Sequence, residues 1–247
     1  MKLLEWNIHK ITNDILVKKY VIDTLVSADA DILCLVEYLT DEGIEEKLRH
    51  KYWYEESNTI SGNKVFIAVK KELAPEGLIV KNKNEVIDCY NFLHVDFVMP
   101  NEAILSMVGV RMLSPINASK QTLPLKRYLT KLSTSFLCAG DFNIKYYRMN
   151  KWFPGIANEI IVDTNSSLSD SSIIYVDKST SEVTGFGAVD HVLHSDNIKV
   201  NSEYKWDFLA RDSVYPNISS IDIGTIWSIP AAYPDHALMI SDIEIKL

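Results

Sequence analysis

Cysteine is scarce in this sequence, basic residues are outnumbered and no long apolar run occurs. Each shortage removes a class of protein. Three cysteines, Cys34, Cys89 and Cys138, in 247 residues exclude a disulfide-stapled scaffold. Cys34 and Cys138 sit inside apolar runs, where a cysteine serves as a small buried hydrophobe. A reduced, cytoplasmic setting is therefore expected, in which the sequons at Asn117, Asn165 and Asn217 have no role. No stretch approaches the roughly 18 consecutive apolar residues of a membrane span. MKLLEWNIHK enters a strand-like segment at once, so no secretory leader is expected. With 25 Lys and Arg against 33 Asp and Glu, the net charge of −8 argues against a dedicated nucleic-acid binder, which draws most of its affinity from a basic face. An enzyme that only visits a phosphodiester needs less. Neither repeat, low-complexity tract nor linker divides the chain, so one monomeric domain over 1–247 is expected.

What is present is a strand-rich pattern. Apolar runs predict strands over 2–8, 31–37, 64–70, 78–81, 85–98, 103–112, 135–140, 172–176, 188–193 and 237–247. Val17, Val21, Leu25 and Ala28 recur at helical spacing and predict a helix over 15–28, with Asn13 or Asp14 as its cap. A charged helix is expected over 41–50. Pro124 suits the first turn of a helix whose Leu125, Tyr128, Leu129 and Leu132 form one apolar face. The segment 206–234 reads as irregular. Many strands with a few helices imply an α/β fold of two sheets packed face to face, helices outside.

Polar residues gather where these apolar runs stop. Asn7 follows Leu3-Leu4-Glu5-Trp6, Glu37 follows 32–36, and Asp141 and Asn143 follow 136–140. Asp190 and His191 lie within Ala188–Leu193, and Asp235 and His236 precede the last strand. Each alone reads as a turn former or cap. Together they crowd carboxylates at one edge of a core, which costs stability unless a cation compensates. Oxygen donors such as Glu37, Asn7 and Asp235 suit a hard ion, Mg²⁺ or Mn²⁺, and the cysteines and histidines lack zinc spacing. An Asp beside such an ion can act as general base for water, with an Asn orienting it. A histidine paired with a carboxylate is held in one tautomer and favoured in its charged form.

The ordered motifs WNI (6–8), DILCLVE (31–37), GDFN (140–143), VDHVL (189–193) and PDHAL (234–238) resemble those of the endonuclease/exonuclease/phosphatase superfamily. That resemblance spans nearly the whole chain. It implies a DNase I-like fold, a four-layer α/β sandwich of two packed central mixed β-sheets flanked by helices. It also implies a hydrolase of phosphoester bonds. Carried over residue by residue, Glu37 becomes the principal metal ligand, with Val36 in place of the usual Gln. Asn7 contacts metal or phosphate, and Asp235 is the second metal-side carboxylate. Asp141 positions or deprotonates the attacking water, and Asn143 orients nucleophile and phosphate. His236 stabilises the charged transition state, with Asp190 as its orienting partner. Two departures stand out. Arg111 occupies the place of a customary His or Tyr, where it can clamp a phosphate oxygen but not act as a general acid; its other reading is a solvated strand-end charge. His9 stands where some members carry an acid, and either contacts substrate or faces solvent.

Lys145-Tyr-Tyr-Arg148-Met-Asn-Lys151-Trp152 interleaves cations with aromatic rings, as a segment gripping a nucleic-acid strand requires. Its other reading is a solvated basic helix with the rings turned inward. The first expectation is thus a Mg²⁺-dependent nuclease or phosphodiesterase acting on DNA or RNA. The alternatives are a phosphatase of a small metabolite or lipid headgroup, and a binding protein on the same fold without catalysis.

Overall fold

The apolar run that opens the chain becomes a central strand because both of its faces are covered: Leu3, Leu4 and Trp6 are wholly buried. In this computed structural model, which describes residues 1–9, 15–83, 91–112, 118–159, 170–176, 183–206 and 236–246, that strand is β1 (Lys2–Asn7). The first six-stranded sheet contains, in spatial order, β13 (Ile198–Lys205), β14 (Leu238–Ile245), β1, β2 (Ile32–Tyr38), β4 (Lys64–Lys70) and β3 (Tyr52–Glu56). The second contains β5 (Ile79–Lys83), β6 (Phe92–Val98), β7 (Ile104–Arg111), β8 (Ser135–Asp141), β12 (Asp190–His194) and β9 (Ala157–Glu159). A separate hairpin joins β10 (Ile173–Val176) to β11 (Val183–Gly187).

Each sheet has one parallel pair at its centre, β1 with β2 and β7 with β8. Parallel neighbours need a crossover connection. Helix α1 (Ile15–Ala28) spans the first gap and α3 (Ala118–Leu129) the second. Tyr20, Val21 and Leu25 of α1 join Ile44 and Leu48 of α2 (Glu42–Leu48) in the same core as the first sheet. Leu125 and Leu129 of α3, with Met149 of α4 (Met149–Trp152), cover Phe92, Val108, Val110 and Cys138 of the second. The two sheets pack tightly at Gly109. A Cβ there would lie 2.5 Å from Val65 Cγ1 and 3.1 Å from Cys34 Sγ, so any side chain would push the sheets apart. The result is the four-layer α/β sandwich expected from the sequence.

Three expectations need correction. Helix α3 begins at Ala118, so Pro124 lies in its interior rather than its first turn. The missing N–H at Pro124 is tolerated because Gln121, Thr122, Leu125 and Leu129 are all buried against the sheet on either side of it. Strand β13 had no place in the sequence reading; it alternates buried Ile198, Val200 and Tyr204 with exposed positions, a half-buried edge whose polar residues hide the period. Short β3, β9 and β11 were also not individually anticipated. The expected strand over 85–98 is described only as β6, and 207–234 and the three sequons lie outside the described residues. Among those residues no helix is long and apolar enough to cross a membrane.

Candidate active site

Parallel pairing places strand ends side by side. In the first sheet Asn7 of β1 pairs with Val36, next to Glu37. In the second, Arg111 of β7 pairs with Asp141 of β8. The antiparallel β12 starts at Asp190, directly opposite Asp141. Five polar side chains from five strands therefore reach one edge of the sandwich.

Local backbone geometry aims them. The β2–β4 register shifts between Leu35 and Tyr38, and Glu37 within that irregularity has φ of +51°. A left-handed conformation costs a non-glycine residue about 1–2 kcal/mol, a strain that collects at functional positions. Asn143 has φ of +52°, which asparagine accepts more readily. At Gly140, φ is +144° and a Cβ would lie 1.9 Å from the Val110 carbonyl oxygen. Only glycine lets β8 run this close to β7 and still deliver Asp141.

Asp141 is almost fully buried and heavily coordinated. Its Oδ1 accepts the Asn143 backbone N–H at 2.8 Å, and its Oδ2 accepts Nδ2 of Asn143 at 2.9 Å and of Asn7 at 3.3 Å. Asn143 Nδ2 also reaches the Met112 carbonyl at 2.9 Å. Burial is the main force on the Asp141 carboxyl and pushes it up to about 7; His236 opposes this while the Asp190 charge adds to it. A carboxylate poised near neutrality can both take and hold a proton.

The second cluster is built around Asp190. His236 Nδ1 lies 2.7 Å from Asp190 Oδ2, and both side chains are buried. Ser172 fixes this pair: its Oγ accepts the backbone N–H groups of Val189 (2.9 Å) and Asp190 (3.1 Å), and its carbonyl accepts the N–H of Ala237. Tyr204 Oη donates to the Asp190 carbonyl at 2.5 Å, and Trp6 Nε1 to the His236 carbonyl at 3.1 Å. His191, next along β12, points away and bonds the Ile144 carbonyl through Nε2 at 2.7 Å. It thereby holds the segment that follows Asn143. The sequence drew no attention to Ser172 or Tyr204, since a serine and a tyrosine in strand-like runs look like ordinary pleat residues.

Glu5 was also missed. It is completely buried in β1, and neither carboxylate oxygen has a hydrogen-bond partner; Asp190 Oδ1 is likewise without one. Burial, then the charges of Asp190 and Asp141, push the Glu5 carboxyl well above the ordinary range, while His236 pulls it down. Its position two residues before Asn7 puts it on the same face of the strand, which is the only signal the sequence offered.

Arg111 is not a solvated strand-end charge. Its guanidinium is ion-paired with Glu37, Nε 2.8 Å from Oε1 and a terminal nitrogen on the same oxygen. His9 stands near the other Glu37 oxygen, Nδ1 at 3.9 Å from Oε2, with its side chain partly exposed. Lys145 and Arg148 flank a cleft of about 270 Å³ that opens beside Asn143. Lys145 precedes and Arg148 ends a single 3-10 turn at Tyr146–Arg148 that runs into α4. Asp235 lies outside the described residues. Among those residues no three His, Cys, Asp or Glu side chains are spaced to enclose a metal ion.

No protein-family model and no curated protein matches the sequence. Solved structures do match. An endonuclease/exonuclease/phosphatase from Bacteroides vulgatus superposes with a TM-score of 0.66 at 13% identity, covering 99% of this chain and 98% of that one. The two chains share one fold along nearly their whole length. D. rerio TDP2 complexed with single-strand DNA product matches with a TM-score of 0.65 at 14% identity, covering 99% and 98%. The human Nocturnin catalytic domain with bound sulfate anion matches with a TM-score of 0.63 at 12% identity, covering 100% and 94%. At such identities the likeness establishes the DNase I-like fold, on which the residues above form their own constellation.

Proposed function

We propose that this protein is a metal-dependent phosphodiesterase, a nuclease that hydrolyses DNA or RNA by attack of an activated water. The observation that carries the reading is the pairing of Asp141, braced by Asn143 and Asn7, with the Asp190–His236 couple on the adjacent strand. In this mechanism Asp141 accepts a proton from water on its carboxylate, at Oδ1, while the carboxamides of Asn7 and Asn143 hold Oδ2 and so orient the group. Nδ1–H of His236 is given to Asp190, so the ring acts on a phosphate oxygen through Nε2 and supplies positive charge as the phosphorus gains negative charge. Arg111 adds a guanidinium on the same edge.

The donor set fits a hard divalent cation. Glu37 and Asn7 offer oxygens at neighbouring strand ends, and beside them burial and the Asp190 charge raise the Glu5 and Asp141 carboxyls. Glu37, Asn7 and Asp235 would hold Mg²⁺ or Mn²⁺, which when bound neutralises the phosphate and lowers the pKa of water. A strand substrate is favoured because a neighbour on this fold, D. rerio TDP2, was crystallised with single-strand DNA product, and because Lys145 and Arg148 stand beside Asn143.

The test is nicking of supercoiled plasmid with Mg²⁺ or Mn²⁺, against EDTA and the Glu37→Gln variant. Metal-dependent nicking lost in the variant is the expected result. A folded wild-type protein whose melting temperature rises with metal but which leaves plasmid intact would overturn the nuclease reading and direct attention to small phosphoesters.

A further inference from the structure

The cleft beside Asn143 has a composition unlike the rest of the molecule. Of its lining side chains two are cations, Lys145 and Arg148, and none is acidic, in a chain whose net charge is −8. Among the described residues neither cation forms an ion pair. Each instead lies over a tyrosine: Lys145 Nζ is 5.2 Å from the Tyr175 ring centre, and Arg148 Cζ is 5.3 Å from that of Tyr147. Tyr147 keeps 55% of its surface exposed, so much of its ring is open to a stacking partner. Trp152 and Ile173 supply further apolar wall.

Cations of this kind are held in place without being neutralised, because an aromatic face attracts a cation yet leaves its donors open to a second partner. The cleft thus offers positive charge for a phosphate and ring faces for a planar apolar group, side by side. Its volume of about 270 Å³ accommodates a single planar ring system rather than a length of duplex. Asn143 lines it and donates to Asp141 Oδ2 at 2.9 Å, which puts the cleft one side chain away from that carboxylate.

We infer that this cleft is a nucleobase site: it takes the base of a nucleotide bordering the scissile phosphodiester, stacked against Tyr147, with Lys145 and Arg148 on the next phosphate. The inference rests on the phosphodiesterase reading above and narrows it to single-stranded or unpaired substrate, since a base inside a duplex cannot enter.

The experiment is a fluorescence titration in EDTA with short single-stranded oligonucleotides carrying one 2-aminopurine, alongside matched oligonucleotides in which that position is abasic. The expected result is quenching of 2-aminopurine at one position, with affinity at least about five-fold weaker for the abasic strand and for Tyr147→Ala, as loss of one stacked base predicts. Tyr147 is exposed, so its replacement leaves the core intact; an unchanged circular dichroism spectrum and melting temperature verify this. Equal affinity for abasic and base-containing strands, with no quenching at any position, would overturn the site. Wild-type turnover of bis(p-nitrophenyl) phosphate with Mn²⁺ is measured in parallel. Turnover combined with base-independent binding removes the nucleobase site and leaves the phosphodiesterase standing. Base-dependent binding without turnover supports the site and removes the catalytic reading.

Discussion

Asp141 and Asp190 face each other across two antiparallel strands, yet only Asp190 is coupled to a histidine. Like charges opposite one another in a sheet destabilise it. Here the conflict separates their roles: Asp190 shares its charge with His236, and Asp141 is left with a carboxyl pushed up to about 7.

Asp141→Asn should therefore abolish turnover without loss of fold. Removal of a general base lowers the rate by about 10²–10⁴-fold, and the amide, which keeps the shape of the carboxylate, should leave the protein folded. Plasmid nicking and a thermal melt of the same preparation check both. Turnover within about ten-fold of wild type, below the usual contribution of a general base, would take Asp141 out of the reaction.

The ion pair between Arg111 and Glu37 sets up a competition, since the carboxylate that receives the guanidinium is the one proposed to hold the cation. Arg111→Gln should raise metal affinity and lower turnover together. The Mg²⁺ concentration giving half-maximal rise in melting temperature should fall several-fold, because ligand binding stabilises the folded state by mass action. An unchanged midpoint would show that the metal does not use Glu37.

Glu5 brings a proton into the interior. A carboxyl raised on folding lends stability that is complete below its unfolded value, 4.5, and is lost as the pH rises through the higher folded value. Glu5→Gln keeps the shape and cannot ionise. Its melting temperature should exceed that of wild type by a margin that widens from neutral to alkaline pH, on the order of 2–4 °C for each kcal/mol recovered. Parallel curves at all pH values would mean that Glu5 does not change its charge.

His94 behaves in the opposite sense. It is buried between β6 and α3, Nδ1 2.7 Å from Tyr128 Oη and Nε2 2.9 Å from Asp96 Oδ1, an oxygen that also accepts from Ser106. Lys81 lies 3.6 Å from the other Asp96 oxygen. Burial lowers the His94 pKa and outweighs the attraction of Asp96. The folded state thus prefers the neutral ring, and its contribution, complete above 6.5, is lost as the pH falls through the lower folded value. Melting temperatures of wild type and His94→Gln should converge on acidification. His191, lowered by its own burial, keeps its slope in both.

The sequence made the site legible where polar residues interrupt apolar runs. Asn7, Glu37, Asp141, Asn143, Asp190 and His236 announced themselves in this way, and the two sheets followed from the strand count. What stayed hidden lies in pairings between segments distant in the chain. Ser172 acts through main-chain groups of Val189, Asp190 and Ala237, and no local pattern encodes such partners. Glu5 reads as the polar half of a strand alternation until a second sheet covers it. Arg111 could be placed on its strand, but the Glu37 oxygen it engages comes from the other sheet. Pro124 misplaced a helix start because position preferences of proline yield to burial of the residues around it.

The chain's first strand is closed by its last. β14 pairs with β1, the Met1 ammonium donates to the Ile243 carbonyl, and Trp6 anchors the His236 backbone across 230 residues of sequence. A nascent chain therefore leaves the ribosome with Asp141, Asn143 and Asp190 already synthesised but with no histidine to complete them. Such distant pairing is slow to form. The Asp190–His236 couple therefore forms only after synthesis has passed His236.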